Sequence, residues 1–119
     1  MKKKFNLNLK EPHLKVINEL KKKFSITCNK EIVNKCIGSA LNLNKDDIIF
    51  STVKEKCRGG CFASLPQFEL EINEEVFIKL KQIYSKNDFE VYKTEEEEIS
   101  KVIRCIIDFF EDNPALIIS

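Results

Sequence analysis

The sequence predicts an α+β protein in which one strand–helix–helix unit occurs twice along a single chain. Three observations lead there. A run of alternating apolar and polar residues, Phe5-Asn6-Leu7-Asn8-Leu9, returns 63 positions later as Phe68-Glu69-Leu70-Glu71-Ile72, and that alternation is the period of a half-buried strand. Each alternation is followed by two stretches whose apolar residues recur at helical spacing. The 119 residues are 43% hydrophobic and 33% charged, a balance that folds and that separates the chain from disordered ones.

The elements follow in order. After the first strand, Pro12 suits the first turn of a helix, where its missing N–H costs nothing. Leu14, Ile17, Leu20 and Phe24, with Val16 beside them, then form an apolar stripe on an otherwise basic helix. The second helix opens near Thr27-Cys28-Asn29-Lys30-Glu31-Ile32, where Thr27 or Asn29 can cap, and turns Ile32, Val33, Cys36, Ile37 and Ala40 inward. The pattern restarts with the second strand. A helix from Glu74 carries Val76, Phe77, Leu80, Ile83 and Tyr84, and a last helix carries Ile99, Val102, Ile103, Ile106 and Phe110. Thr94 with Glu97 spells a capping box at its start. Thr94 lies 67 positions after Thr27, so the second unit has four more residues between its helices, around Asn87 to Lys93.

Neither unit is self-sufficient. About 40 residues cannot bury an adequate core, and a lone strand leaves both edges unpaired. Antiparallel pairing of strands, with the helices interlocked behind them, removes both defects. Two pairings are open: unit with unit inside one chain, or like unit with like unit between chains. The second is preferred on charge, because the first would set Glu69 and Glu71 beside Asn6 and Asn8.

The net charge of +1 conceals a division. Residues 1–66 carry 14 Lys and Arg against 6 Asp and Glu, a net +8, whereas residues 67–119 carry 6 against 13, a net −7. One half is suited to a polyanion and the other is not.

Phe5-Asn6-Leu7 at the strand, Asn29-Lys30-Glu31-Ile32 opening the second helix, and the 22-residue interval from Phe5 to Thr27 resemble the ribbon-helix-helix family of DNA-binding regulators in its Arc-like form. The resemblance covers residues 3–41, and residues 67–112 in pattern only. In tandem form it is similar in style to regulators of some archaeal viruses. It implies a β-ribbon lying in the major groove. With Phe5, Leu7 and Leu9 facing the core, Lys4, Asn6 and Asn8 face the bases, and Lys10 reaches a base or a phosphate. Asn pairs with adenine N6/N7 and Lys with guanine O6/N7, each good contact discriminating by about 1–3 kcal/mol. The start of the second helix, Thr27, Cys28, Asn29 and Lys30, grips phosphate through free N–H groups. Lys2 and Lys3, on a mobile arm, add non-specific attraction. The second unit departs from this pattern: Gln67, Glu69 and Glu71 face outward and Glu95 to Glu98 occupy the phosphate position, so it is expected to pair and not to bind DNA.

The expected organisation is therefore a DNA-binding unit over 1–41, a linker over 42–66 and an acidic dimerisation or oligomerisation unit over 67–119. In the linker, Ile48 to Val53 reads as a strand, Arg58-Gly59-Gly60 as a turn and Phe62 to Leu65 as the returning strand of a β-hairpin. Lys54, Lys56 and Arg58 near its tip are further candidate DNA contacts. Cys57 and Cys61 flank the turn, but zinc needs four ligands and the single histidine, His13, sits elsewhere, so no metal and no cofactor is expected. Cys36 and Cys105 fall in apolar helical patterns and read as small buried hydrophobes, with all five cysteines reduced. His13 is read as a solvent-facing residue of the first turn.

No nucleophile–base pair, phosphate loop or carboxylate pair stands out, so the chain is not read as an enzyme. No apolar run approaches the roughly 20 residues of a membrane span, and the charges of Met1 to Phe5 lack the apolar segment of a signal peptide. A cytoplasmic protein is expected, in the host cytoplasm if viral. The expected function is a transcriptional regulator, most simply a repressor, binding double-stranded DNA as a homodimer or higher homo-oligomer. An antitoxin whose acidic C-terminal half neutralises a toxin is the alternative, and an assembly protein with a basic docking face is a third reading.

Overall fold

A computed structural model describes residues 2–9, 11–43, 66–86 and 94–117 of the chain. The elements are β1 (Lys2–Asn8), α1 (Glu11–Phe24), α2 (Asn29–Leu43), β2 (Pro66–Asn73), α3 (Glu74–Lys86) and α4 (Glu95–Asp112), followed by a 3-10 turn (Pro114–Leu116). The class is α+β: two antiparallel strands and four helices among the described residues. The order strand, helix, helix occurs twice. The hairpin expected over residues 48–65 lies outside the described residues, together with Cys57 and Cys61.

The strands pair with each other inside the chain, which corrects the preference for like-with-like pairing between chains. Lys2 stands opposite Asn73, Lys4 opposite Glu71, Phe5 opposite Leu70, Asn6 opposite Glu69 and Leu7 opposite Phe68. The register then slips, so that Asn8 meets Pro66. Gln67 is the extra residue, and a bulge here lets the proline fall where no ladder N–H is required. The physical reason for the pairing is that the two inward faces are near copies. Phe5, Leu7 and Leu9 from β1 and Leu70 and Ile72 from β2 are at most 4% exposed; β1 packs on both helices of the second unit, and β2 on the helix that follows it and on α2.

One apolar cluster joins both halves, taking in Val16, Ile17 and Leu20 of α1, Ile32, Val33, Cys36, Ile37 and Ala40 of α2, and Phe77, Leu80 and Ile83 of α3. Phe5 and Phe77 meet edge to face at 5.8 Å, tying β1 to the second unit's first helix. Burying residues of this size stabilises by about 1.5–3 kcal/mol each, which makes the cluster the main source of stability.

At its centre lies α4, packed against β1, α1, α2 and α3. Its start follows the capping rule, with the Glu97 N–H donating to Thr94 Oγ1 at 3.2 Å. The apolar stripe expected on this helix is buried, but so is its other side: Ser100, Lys101, Arg104, Cys105 and Ile107. Over residues 99–107, all of them buried, a helix surrounded by four elements has no solvent face to give its polar residues. Lys101 and Arg104 are 2% and 1% exposed, and both have interaction partners, as buried cations require. His13, read as solvent-facing, is instead 4% exposed, with Nε2 3.3 Å from Asp108 Oδ2 of α4. The chain end folds back: Asn113 Nδ2 donates to the Phe109 carbonyl at 3.0 Å and Ile117 enters the core. No described helix is long and apolar enough to cross a membrane.

Between α1 and α2 the chain turns without glycine. Ser25 takes φ 56°, the Ile26 N–H donates to the Lys21 carbonyl at 2.9 Å and the Ser25 N–H to the Lys22 carbonyl at 3.4 Å. Those two bonds make a Schellman motif with serine in the left-handed position. The motif sets the direction in which α2 starts, and therefore where residues 27–30 stand relative to the ribbon.

Candidate nucleic-acid interface

The ribbon has one buried and one exposed face, and alternation decides which residues reach each. On the exposed face β1 presents Lys2, Lys4 and Asn6, and β2 presents Glu69, Glu71 and Asn73. Lys4 and Asn6 thus stand where the sequence put them. The Asn8 side chain and Lys10 lie outside the described residues, as do Lys54, Lys56 and Arg58. Lys2 and Lys3 correct one expectation, because they belong to β1 and not to a mobile arm. Lys3 falls on the inward side at the ribbon's end, where its ammonium lies 4.7 Å above the Phe77 ring.

Pairing within the chain mixes the charges of the face. Glu71 reaches two lysines of the neighbouring strand, its Oε1 3.9 Å from Lys2 Nζ and its Oε2 3.8 Å from Lys4 Nζ. All three side chains are well exposed, at 63% for each lysine and 42% for the glutamate, so each contact contributes at most about 1 kcal/mol to folding. Its effect on the surface is larger than its effect on stability, because two lysines and two glutamates now share one small face.

Beside the ribbon, Thr27, Cys28 and Lys30 are exposed and Asn29 is half-buried. The first helical bond of α2 runs from the Ile32 N–H to the Cys28 carbonyl at 3.2 Å. The N–H groups of Asn29, Lys30 and Glu31 therefore start the helix without intrahelical acceptors, at the positive end of its dipole. Asn29 does not cap through its oxygen, since Oδ1 is buried and has no hydrogen-bond partner. Lys21, Lys22 and Lys23 close the last turn of α1, just ahead of this segment.

The corresponding end of α4 is occupied by its own chain. The Asn6 N–H donates to Glu96 Oε2 at 2.6 Å, so the free edge of β1 is closed by a carboxylate at that point. Glu95 accepts from Lys81 Nζ of α3 at 2.9 Å. That hydrogen bond, helped by the charges of Lys81 and Lys3, holds the Glu95 carboxyl below its ordinary range. These acids fix the start of α4 and leave no anion site there. Glu71 and Glu96, which touch β1 directly, become visible as contacts only once β1 is known to pair with β2.

Three free cysteines fall among the described residues, and the two set in apolar helical patterns are the buried ones. Cys36 and Cys105 are buried and Cys28 is exposed, and burial pushes the Cys36 thiol up to about 12. No three described His, Cys, Asp or Glu residues come together in a way that could hold a metal ion. In comparisons with known proteins, the chain matches no family model, no curated protein and no solved structure.

Proposed function

We propose that this chain is a double-stranded DNA-binding regulator of ribbon-helix-helix type, in which the two units of one chain form the ribbon and only one strand reads. The observation carrying this reading is the exposed face of β1, with Lys2, Lys4 and Asn6 above a core that fixes the strand. Lys and Asn are the side chains that pair bidentately with guanine and adenine edges. The start of α2 lies in the same basic half, with Thr27, Cys28 and Lys30 exposed, and supplies the phosphate contact that sets register.

On this reading β2 is a partner strand more than a second reader. Glu69 and Glu71 can only accept, from the amino groups of cytosine N4 or adenine N6 among base donors in the major groove, and they repel phosphates. Recognition is asymmetric, so a single chain reads one half-site and a pair of chains is needed for a palindrome. Association of chains is assigned to the C-terminal half. The antitoxin alternative expects that half to lack structure until a toxin binds, whereas here α4 is the centre of the core.

The test is selection from random duplex DNA with the intact protein and with Asn6→Ala/Asn8→Ala. The reading expects a consensus that the double variant fails to enrich. Salt-sensitive binding with no consensus, unchanged in the variant, leaves only a basic surface and refutes ribbon readout.

A further inference from the structure

The outward face of α3 carries a pattern that is complementary to itself. Ile78 is the most exposed large hydrophobic residue among those described, at 49%. It stands between two surface hollows that meet at its side chain, one lined by Asn73, Glu74 and Glu75 and the other by Lys81, Gln82 and Ser85. Phe77, Leu80 and Ile83 bury the opposite side of the helix, so this face is turned away from the protein's own core. Acidic residues lie before Ile78 and Lys81 lies after it.

Helix geometry gives that order a consequence. At 100° per residue, Glu74 and Lys81 lie on one flank of Ile78, four residues before it and three after. Glu75 and Gln82 lie on the other flank, three before and four after. A second α3 laid antiparallel, with a two-fold axis passing beside Ile78, brings Ile78 onto Ile78. The same operation sets Glu74 against Lys81 of the other copy and Glu75 against Gln82, each twice. An isologous contact of this kind closes after two copies. A parallel two-fold exchanges the flanks, so it sets Glu74 against Glu75 of the other copy, twice, and leaves Lys81 facing the neutral Gln82; it gains no ion pair and is repulsive at the acidic end.

We infer that α3 is a homodimer contact, in which a second copy of this chain packs antiparallel across Ile78 with Glu74 and Lys81 as reciprocal ion pairs. The inference rests on the reading that the C-terminal half associates chains, and it names the surface. The Lys81 ammonium has three donors, so it holds Glu95 of its own chain and Glu74 of the partner together. One helix face is a small contact, and a dimer in the micromolar range is expected. It places two reading strands on one particle, as a two-half-site operator requires.

Sedimentation equilibrium decides the point, using the full chain as wild type, Glu74→Lys and Lys81→Glu, with circular dichroism melting to check that each folds. The wild type is expected to dimerise. Each variant alone sets like charges against each other and should weaken dimerisation by roughly ten-fold or more. Mixed in equal amounts, the two should associate again, because the lysine introduced at position 74 of one chain then faces the glutamate introduced at position 81 of the other. Ile78→Asp, which keeps both charged flanks, should abolish association while the chain stays folded, its melting temperature falling by no more than the loss of the dimer accounts for. A wild type that dimerises equally well in all three variants overturns this surface and leaves another surface to join the chains. A wild type that stays monomeric overturns both this inference and the assignment of association to the C-terminal half.

Discussion

Replacing Glu71 with glutamine removes one carboxylate from the centre of the proposed reading face and frees Lys2 and Lys4, whose ammonium groups lie 3.9 and 3.8 Å from it. At about 4 Å two unit charges attract by about 1 kcal/mol in water, and exposure and side-chain entropy reduce what reaches stability. The fold should therefore lose less than about 1 kcal/mol. DNA affinity should respond more strongly. Each additional phosphate neutralised adds about 0.9 to the slope of log K against log salt. One to two more effective cations at roughly 0.15 M salt therefore strengthen binding by about 5- to 30-fold. Fluorescence anisotropy of a labelled duplex, titrated with wild type and Glu71→Gln across a salt series, measures affinity and slope together. Tighter binding with a steeper slope is expected. Equal affinity and equal slope would refute the claim that this face meets DNA while Glu71 holds its lysines.

Further outcomes follow from the fold. Ser25→Gly should stabilise by about 1 kcal/mol, because serine holds φ 56° at the helix end where glycine has no steric cost; chemical denaturation measures it. Gly38→Ala in α2 should stabilise by roughly 0.5–1 kcal/mol, since a Cβ there meets nothing within 4 Å and glycine is a poor interior helix residue. His13→Ala should cost about 1–3 kcal/mol by leaving the part-buried Asp108 carboxylate without its α1 partner. The lowered Glu95 carboxyl gives stability that is complete above the ordinary glutamate pKa and fades as pH falls through the lowered value. Glu95→Gln should accordingly flatten the acid side of the melting profile. Among the described cysteines, an aromatic disulfide reagent should modify exposed Cys28 in the native state and reach Cys36 only on unfolding.

Much of the architecture is legible in the sequence because it depends on periodicity. The alternations at Phe5 and Phe68 and the apolar stripes behind them are local signals, and their elements lie where the signals place them. Thr94 and Glu97 likewise mark the last helix by a spacing that works within one turn. Strand partnership is not local. Two strands with the inward sequences Phe5-x-Leu7 and Leu70-x-Ile72 can cover the same core, and outward charge alone favours keeping them apart. The core decides otherwise, because the exposed Glu71 contacts weigh little beside Phe5 packed on Phe77. The same limit explains His13 and Arg104. A stripe shows which face of a helix must be buried, but not that four neighbours will cover the remaining faces as well, as they do for α4.

The candidate site divides in the same way. Lys4 and Asn6 follow from alternation, and Thr27 to Lys30 from helix-start chemistry. Glu71 and Glu96 come within reach of β1 only through contacts between distant parts of the chain, which no local pattern records.

The central claim is that DNA meets the β1 face and the start of α2. Amide shifts of the isotopically labelled protein, followed as a short duplex is added, test it most directly. The account predicts that the largest changes fall on Lys2, Lys4, Asn6 and residues 27–30, with β2 and the Glu95–Glu98 turn little affected. Changes confined to other surfaces, or none at all, would contradict it.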